Sequence, residues 1–315
     1  MLSVKIRFLR VAPLWILAVS VLFASANTAA QPSSQKTQDL KLKSSLMGRD
    51  MPYRVVLPTD YSAKAAGRYA VVYLLHGLTG HFNNWTEKTQ LAQHAAKHRF
   101  IIVTPEGADG WYIDSVANPK EKYESYIIKE LIPEIDRSFR TVADREHRII
   151  AGLSMGGYGS IKFGLKYPEM FSLVGSFSGA LAAAAFTEKN AGWIGKSIDV
   201  IYGPEESETR KANDVFKLVR GLTSEKLKTI PFIYQSCGTE DFLFQNNRDF
   251  MALLVEKKVP HEYRQHPGGH TWTFWNAQVK EFLEVAERAV SRPERKAHRL
   301  KRMLGSLIRK VQPDT

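Results

Sequence analysis

From about residue 36 onward, short continuous apolar runs alternate with amphipathic stretches. Tyr69-Ala70-Val71-Val72-Tyr73-Leu74-Leu75 is the strongest run, and it stops at His76-Gly77. Its length and its β-branched and aromatic content predict a strand buried on both faces, as strands of a parallel sheet are. Arg54-Val55-Val56-Leu57 (ended by Pro58), Phe100-Ile101-Ile102-Val103 and Arg148-Ile149-Ile150-Ala151 read as further strands. So do Leu173-Val174-Gly175-Ser176-Phe177 and Phe232-Ile233-Tyr234. Between the runs the period changes. Tyr123, Ile127, Leu131 and Ile135 recur every four residues, which predicts a helix, and Pro133 predicts a kink in it. Phe250, Leu253 and Leu254 mark a second helix, and Val279, Phe282, Leu283 and Val285 a third. Strand and helix alternate through residues 31–290 without an internal repeat. The pattern predicts a single α/β domain there, a mostly parallel sheet covered by helices on both faces.

The two ends differ from this body. Lys5, Arg7 and Arg10 precede an almost wholly apolar stretch from Val11 to Ala24, and small residues follow. This reads as a secretory signal peptide over 1–30, with Ala26 and Ala30 as candidate cleavage points. The apolar stretch is shorter than the roughly 20 residues that span a bilayer. Residues 291–315 carry eight basic residues against Glu294 and Asp314. Leu300, Met303, Leu304, Leu307 and Ile308 are interleaved with them, so this tail reads as a basic amphipathic helix. It suits contact with an anionic membrane surface, or simply a solvated terminal helix, and the second reading is preferred. Much of the net charge of +12 therefore sits at the ends, and the mildly basic body asks for no nucleic acid. The one cysteine, Cys237, excludes an internal disulfide and follows an apolar run, which predicts a buried thiol. An exported chain without disulfides fits a secreted or periplasmic location in a bacterium.

Chemistry concentrates at Gly152-Leu153-Ser154-Met155-Gly156, a G-x-S-x-G pattern between an apolar strand and a helical stretch from Tyr158 to Tyr167. That setting holds a nucleophilic serine on a tight turn of the α/β-hydrolase fold. A serine hydroxyl needs a base held by an acid, and in this fold the chain order is serine, acid, histidine. His270, after Gly268-Gly269, is the preferred base, on a loop expected after a short strand; His261, His266 and His298 are the rivals. Asp241, in Gly238-Thr239-Glu240-Asp241 after a strand, is the preferred acid, with Glu240 the neighbour that could replace it and Asp249 expected in the next helix. An oxyanion hole would use the backbone N–H groups of Met155 and Leu78, the latter in the loop His76-Gly77-Leu78-Thr79-Gly80. His76 itself reads as a buried structural histidine. No His, Cys or Asp cluster has metal-ligand spacing, and neither a metal nor another cofactor is expected.

These motifs together resemble the esterase D-like family of α/β hydrolases. Pro52-Tyr53-Arg54-Val55, Tyr73-Leu74-Leu75-His76-Gly77, Trp85 and Glu130-Leu131-Ile132-Pro133 carry the resemblance, with Gly152 to Gly157, Ser178-Gly179-Ala180, Gly238 to Asp241 and Gly269-His270-Thr271-Trp272. The family includes S-formylglutathione hydrolases, tributyrin-type, feruloyl and acetylxylan esterases, and mycolyltransferases. The resemblance implies a triad of Ser154, Asp241 and His270 with oxyanion amides at Leu78 and Met155. It implies a carboxylesterase acting on small-molecule or carbohydrate esters, and the signal peptide disfavours the cytosolic formylglutathione role. Acetyl to butyryl esters are expected, because the stretch Ala182 to Leu222 is the one insertion long enough to cover the site. Trp85, Trp111, Trp193, Trp272 and Trp275 are candidates to line an acyl or aryl pocket, with core packing expected for at least two of them. An acyltransferase on the same triad is the first alternative, and a non-catalytic binding protein on this fold the second.

Overall fold

Successive residues of a strand point to opposite faces of the sheet, so a strand buried on both sides must be apolar at every position. The central strand meets that demand. Val71, Tyr73 and Leu75 join one buried cluster, while Ala70, Val72 and Leu74 join another. These clusters are the two cores of a computed structural model that describes residues 36–64 and 66–291. The expected signal peptide, His298 and the basic tail beyond residue 291 lie outside the described residues.

Eight strands form one sheet: β1 (Thr37–Ser44), β2 (Arg49–Val56), β3 (Ala70–Leu75), β4 (Phe100–Pro105), β5 (Arg148–Leu153), β6 (Leu173–Phe177), β7 (Phe232–Gly238) and β8 (His261–His266). Their spatial order is β1-β2-β4-β3-β5-β6-β7-β8. β1 and β2 are antiparallel, β2 is antiparallel to β4, and every other pair is parallel. The first core includes Tyr126, Ile135, Ile161, Phe163 and Phe250 from helices on one face. The second includes Leu91 and Ala95, with Phe274, Val279, Phe282 and Ala286 of the Trp272–Ser291 helix, on the other face. The sequence expectation of an α/β-hydrolase fold, a mostly parallel sheet between helical layers, holds.

The interruption expected at Pro133 takes a particular form. Helix Tyr123–Tyr126 passes through a π-helical turn, Ile127–Leu131, into helix Ile132–Ser138. Proline has no N–H to give and its ring crowds the carbonyl four residues back, here that of Lys129. A widened turn just before Pro133 accommodates both effects without a break. Glu130 in that turn reaches back to the β1–β2 hairpin, where its carboxylate accepts the Ser45 and Leu46 N–H groups at 3.0 and 3.1 Å.

The insertion before β7 folds into short helices, among them Glu188–Tyr202, Glu208–Asn213 and Val215–Arg220. Buried Arg210 knits it together. Its guanidinium donates to the carbonyls of Gly203, Ala184 and Phe186 at 2.8 to 2.9 Å and pairs with Asp199. The cavity of about 230 Å³ beside Arg210 is lined by Ala184, Glu206, Asp214 and Lys217, and by none of Ser154, Asp241 or His270.

Candidate active site

β3, β5, β7 and β8 run parallel, so the loops that leave them emerge along one edge of the sheet. The first of these loops to matter follows β5. Ser154 adopts φ 52°, ψ −116° between that strand and the helix Met155–Lys166. This is a costly conformation for a residue with a side chain, and it persists only where its surroundings impose it. The Ser154 N–H donates to the Phe177 carbonyl at 2.9 Å, and its own carbonyl accepts the N–H groups of Tyr158 and Ala180 at 3.0 and 3.1 Å. The flanking glycines are required by contact. A Cβ on Gly152 would lie 2.5 Å from the Gly156 backbone, and one on Gly156 would lie 2.5 Å from the Leu75 carbonyl oxygen. The turn therefore presses strand, helix and β3 together and leaves the serine hydroxyl at its apex.

The loops after β7 and β8 deliver the other two groups. They cross in contact: a Cβ on Gly238 would sit 2.0 Å from the Gly268 carbonyl oxygen. The Thr239 N–H donates to the His266 carbonyl at 2.9 Å and the Glu240 N–H to that of Gly268 at 3.0 Å. These bonds hold Asp241 beside His270. His270 Nδ1 lies 2.9 and 3.1 Å from the two Asp241 carboxylate oxygens, and Nε2 lies 3.0 Å from Ser154 Oγ. An ionised carboxylate only accepts, so Nδ1 carries the proton and Nε2 presents its lone pair to the serine hydroxyl.

The Asp241 side chain is fully buried. Burial pushes its carboxyl up, but the His270 hydrogen bond and the Leu243 N–H at 2.8 Å outweigh burial and hold it below the usual carboxylate range. The imidazole is flanked by two rings. Trp275, almost buried, meets it edge-on at 4.9 Å, and exposed Phe242 lies against it at 4.6 Å.

The fourth loop follows β3. A Cβ on Gly77 would lie 3.4 Å from Ser154 Cβ, which places the Gly77-Leu78 peptide beside the serine. Among the described residues no acceptor is bonded to the Leu78 N–H, and the Met155 N–H is in the first turn of its helix, where amides have no intrahelical partner. Below the loop, His76 is 1% exposed. Its Nε2 accepts the Gly107 N–H at 2.9 Å, which leaves the Nδ1 proton for the Gly77 carbonyl at 2.8 Å. His76 is thus a structural histidine. Its carbonyl accepts the buried Tyr112 hydroxyl at 3.0 Å, and the Tyr112 carbonyl accepts Lys162 Nζ from the helix that follows Ser154.

A family model described as a putative esterase matches residues 44–284. The chain belongs to that esterase family. An acetyl esterase of Caldicellulosiruptor saccharolyticus is 30% identical over 253 residues, covering 76% of this chain and 94% of the relative. Among solved structures, a ferulic acid esterase superposes with TM-score 0.71 at 26% identity, covering 82% of this chain and 99% of the other. A fluorophosphonate-binding serine hydrolase of Staphylococcus aureus gives TM-score 0.71 at 26% identity, covering 80% of this chain and 98% of the other. The esterase D-like resemblance of the motifs holds, and the protein is a serine ester hydrolase.

The rival residues of this esterase stand apart from Ser154. His266 faces Glu281 at 3.6 Å, and His261 Nδ1 bonds the Val259 carbonyl at 2.7 Å. The carboxylate of exposed Glu240 accepts the Thr239 hydroxyl, and Asp249 bonds Gln245 within its helix. Cys237 is fully buried, and burial, with the nearby Asp241 charge, pushes its thiol up to about 12, so it is no nucleophile. Among the described residues no group of three or more His, Cys, Asp or Glu is placed to hold a metal ion.

The tryptophans divide differently from a shared pocket wall. Trp85 is completely buried, donates Nε1–H to the Leu75 carbonyl at 3.0 Å and meets Phe177 and Trp272 edge-on. It is a core residue. Trp111 is 2% exposed and packs on Tyr158. Trp193 is 64% exposed on the insertion. Half-buried Trp272 packs between Trp85 and Trp275, with Lys88 Nζ 5.3 Å above its ring. Phe242, which touches the imidazole, was not among the candidates. A single phenylalanine in a loop leaves no periodic signal to find it by.

Proposed function

We propose that this esterase hydrolyses short-chain acyl esters through an acyl-enzyme on Ser154, with His270 as base and Asp241 as its orienting acid. The observation that carries the reading is the unbroken hydrogen-bonded line from Asp241 through His270 to Ser154 Oγ. The serine proton passes to His270 Nε2 as Oγ bonds to the ester carbonyl carbon. The Leu78 and Met155 N–H groups receive the developing oxyanion. The bond to the alcohol oxygen then breaks, and His270 returns its proton to that oxygen. Water repeats the sequence on the acyl-enzyme and releases the acid. Asp241 stays ionised throughout and stabilises the imidazolium.

The alanine-rich segment beside the serine supports small acyl groups. The Ala180 N–H binds the Ser154 carbonyl, and Leu181 leads into the alanine-rich turn Ala183–Ala185. Similarity to an acetyl esterase and to a ferulic acid esterase supports small or aryl acyl esters. The proposal includes a cleaved signal over 1–30, a catalytic domain over 31–290, export to the periplasm or medium, and a solvated basic tail over 291–315.

A p-nitrophenyl ester series tests the substrate reading. Each methylene that the wall covers contributes about 0.8 kcal/mol. The value of kcat/KM should climb from acetyl to butyryl and fall by octanoyl. A steady rise to palmitoyl would contradict the short-acyl reading, and no turnover of any ester would contradict the triad.

A further inference from the structure

His270 must hand its proton to the departing alcohol, so that alcohol has to pass beside the imidazole. The two flanks of the ring are not equivalent there. Trp275 meets the ring edge-on at 5% exposure, while Phe242 lies against the ring and is itself 74% exposed. Single exposed apolar side chains are ordinary on a protein surface. What sets Phe242 apart is the ring it touches. It directly follows Asp241, whose carboxylate is locked by His270 and the Leu243 N–H. The backbone on both sides of Phe242 is therefore held, and its open aromatic surface is fixed beside the imidazole that the alcohol must pass.

We propose that Phe242 forms the alcohol-side subsite and selects esters whose alcohol carries a flat ring. This rests on the triad reading of Ser154, Asp241 and His270. An aromatic surface favours a second flat apolar surface by stacking, which an aryl ring offers on both faces and a pyranose offers through its axial C–H groups. A short alkyl alcohol has no such surface. The acyl group lies on the other side of the ester bond, so the acyl-enzyme formed from a given acid is the same whatever alcohol has left. Phe242 acts in acylation and is silent in deacylation.

Three acetate esters share one acyl-enzyme and test this directly: ethyl acetate, benzyl acetate and an acetylated methyl pyranoside. Each is assayed with wild type, Phe242→Ala and Phe242→Leu, the last of which keeps apolar bulk against the imidazole. Comparing variant with wild type for each ester cancels differences in intrinsic leaving ability. Both variants should lower kcat/KM for the ring-bearing esters by about three- to ten-fold, the usual scale of an aromatic contact, with ethyl acetate changed by less than about two-fold. The pH profile and fluorophosphonate labelling rate should stay as in wild type. Loss confined to benzyl acetate identifies an aryl alcohol, and loss confined to the pyranoside a sugar. An equal fall for all three esters, or a shifted pH profile, would show that Phe242 only props His270 and would overturn the proposal. No change for any ester would overturn it too. A wild type that turns over none of them overturns the triad reading and this inference together.

Discussion

Asp241 and Glu124 are both buried carboxylates, each hydrogen-bonded to a basic side chain, and each is held below the usual carboxylate range. Their partners differ. Burial pushes Glu124 up, but Lys162 and Lys166, each 2.6 Å away, bring it down to about 2, and the Tyr167 hydroxyl adds a bond at 2.7 Å. Lys162 is completely enclosed, with its other bond on the Tyr112 carbonyl. Lys166 adds a bond to the Asn213 side-chain oxygen at 3.2 Å. Asp241 instead holds an imidazole whose far nitrogen reaches the serine and whose side chain is 19% exposed. The Glu124 cluster ties the helix after Ser154 to the segment bearing Tyr112. Asp241 holds the ring that, in the proposed mechanism, takes up and returns the serine proton. What separates the two carboxylates is where their partners lead, with burial common to both: the imidazole beside Asp241 reaches a serine hydroxyl, and the ammonium groups beside Glu124 reach a backbone carbonyl and an amide oxygen.

The comparison breaks most sharply at the acid. Asp241→Asn removes the charge that stabilises the imidazolium and inverts the ring's hydrogen bonding, so kcat should fall by about 10⁴ with the fold intact. Glu240→Gln alters an exposed side chain and should change kcat by less than about two-fold. The opposite ranking in folded protein would transfer the role to Glu240. Lys162→Met should do the reverse of Asp241→Asn. It leaves the Tyr112 carbonyl and half of Glu124 without a partner, at a cost of about 3 kcal/mol in a urea titration. Turnover per folded molecule should stay close to that of wild type, and a large fall in kcat without loss of stability would contradict the division.

Acid sharpens the same contrast. The folded Glu124 carboxyl, at about 2, lies below its value in the unfolded chain, so its stabilisation is fully present above about pH 4.5. It is lost as pH falls from there toward 2. Wild-type stability should decline through that window, and Glu124→Gln, weaker at neutral pH, should decline less. A variant profile parallel to wild type would show that Glu124 is not the group titrating. The smallest effect belongs to Tyr112→Phe, which frees the His76 carbonyl under the Gly77-Leu78 peptide. One lost neutral hydrogen bond costs about 1 kcal/mol. Thermal unfolding should register that loss, and an unchanged melting temperature would show that the bond carries no net stability.

The central strands were legible because burial on both faces leaves an unmistakable apolar run, as in Tyr69 to Leu75. The edge strands were less so, although a short strand before the His270 loop was expected. β8 reads His-Glu-Tyr-Arg-Gln-His and is only partly buried, so pairing with β7 rather than apolar content makes it a strand. Thr37–Ser44 at the other edge is equally polar. The serine turn was legible because steric demand reduces Gly152 and Gly156 to one residue type. Asp241 and His270 were placed by chain order and by their loops, which leave Glu240 and His266 as alternatives, because the crossing at Gly238 and Gly268 that sets Asp241 beside His270 is a tertiary contact. Lys162 and Glu124 are 38 positions apart and look like ordinary helix-surface charges. Trp85 was ambiguous because a tryptophan can line a pocket or fill a core, and its bond to the Leu75 carbonyl is a tertiary fact.

Covalent labelling by a fluorophosphonate, followed by mass analysis of the modified peptide, tests the central claim most directly. The label requires a serine activated by a neighbouring base. Wild type should carry one adduct on the peptide containing Ser154, Ser154→Ala should carry none, and His270→Ala should label orders of magnitude more slowly. An adduct that persists in Ser154→Ala, or labelling of His270→Ala at the wild-type rate, would contradict the account.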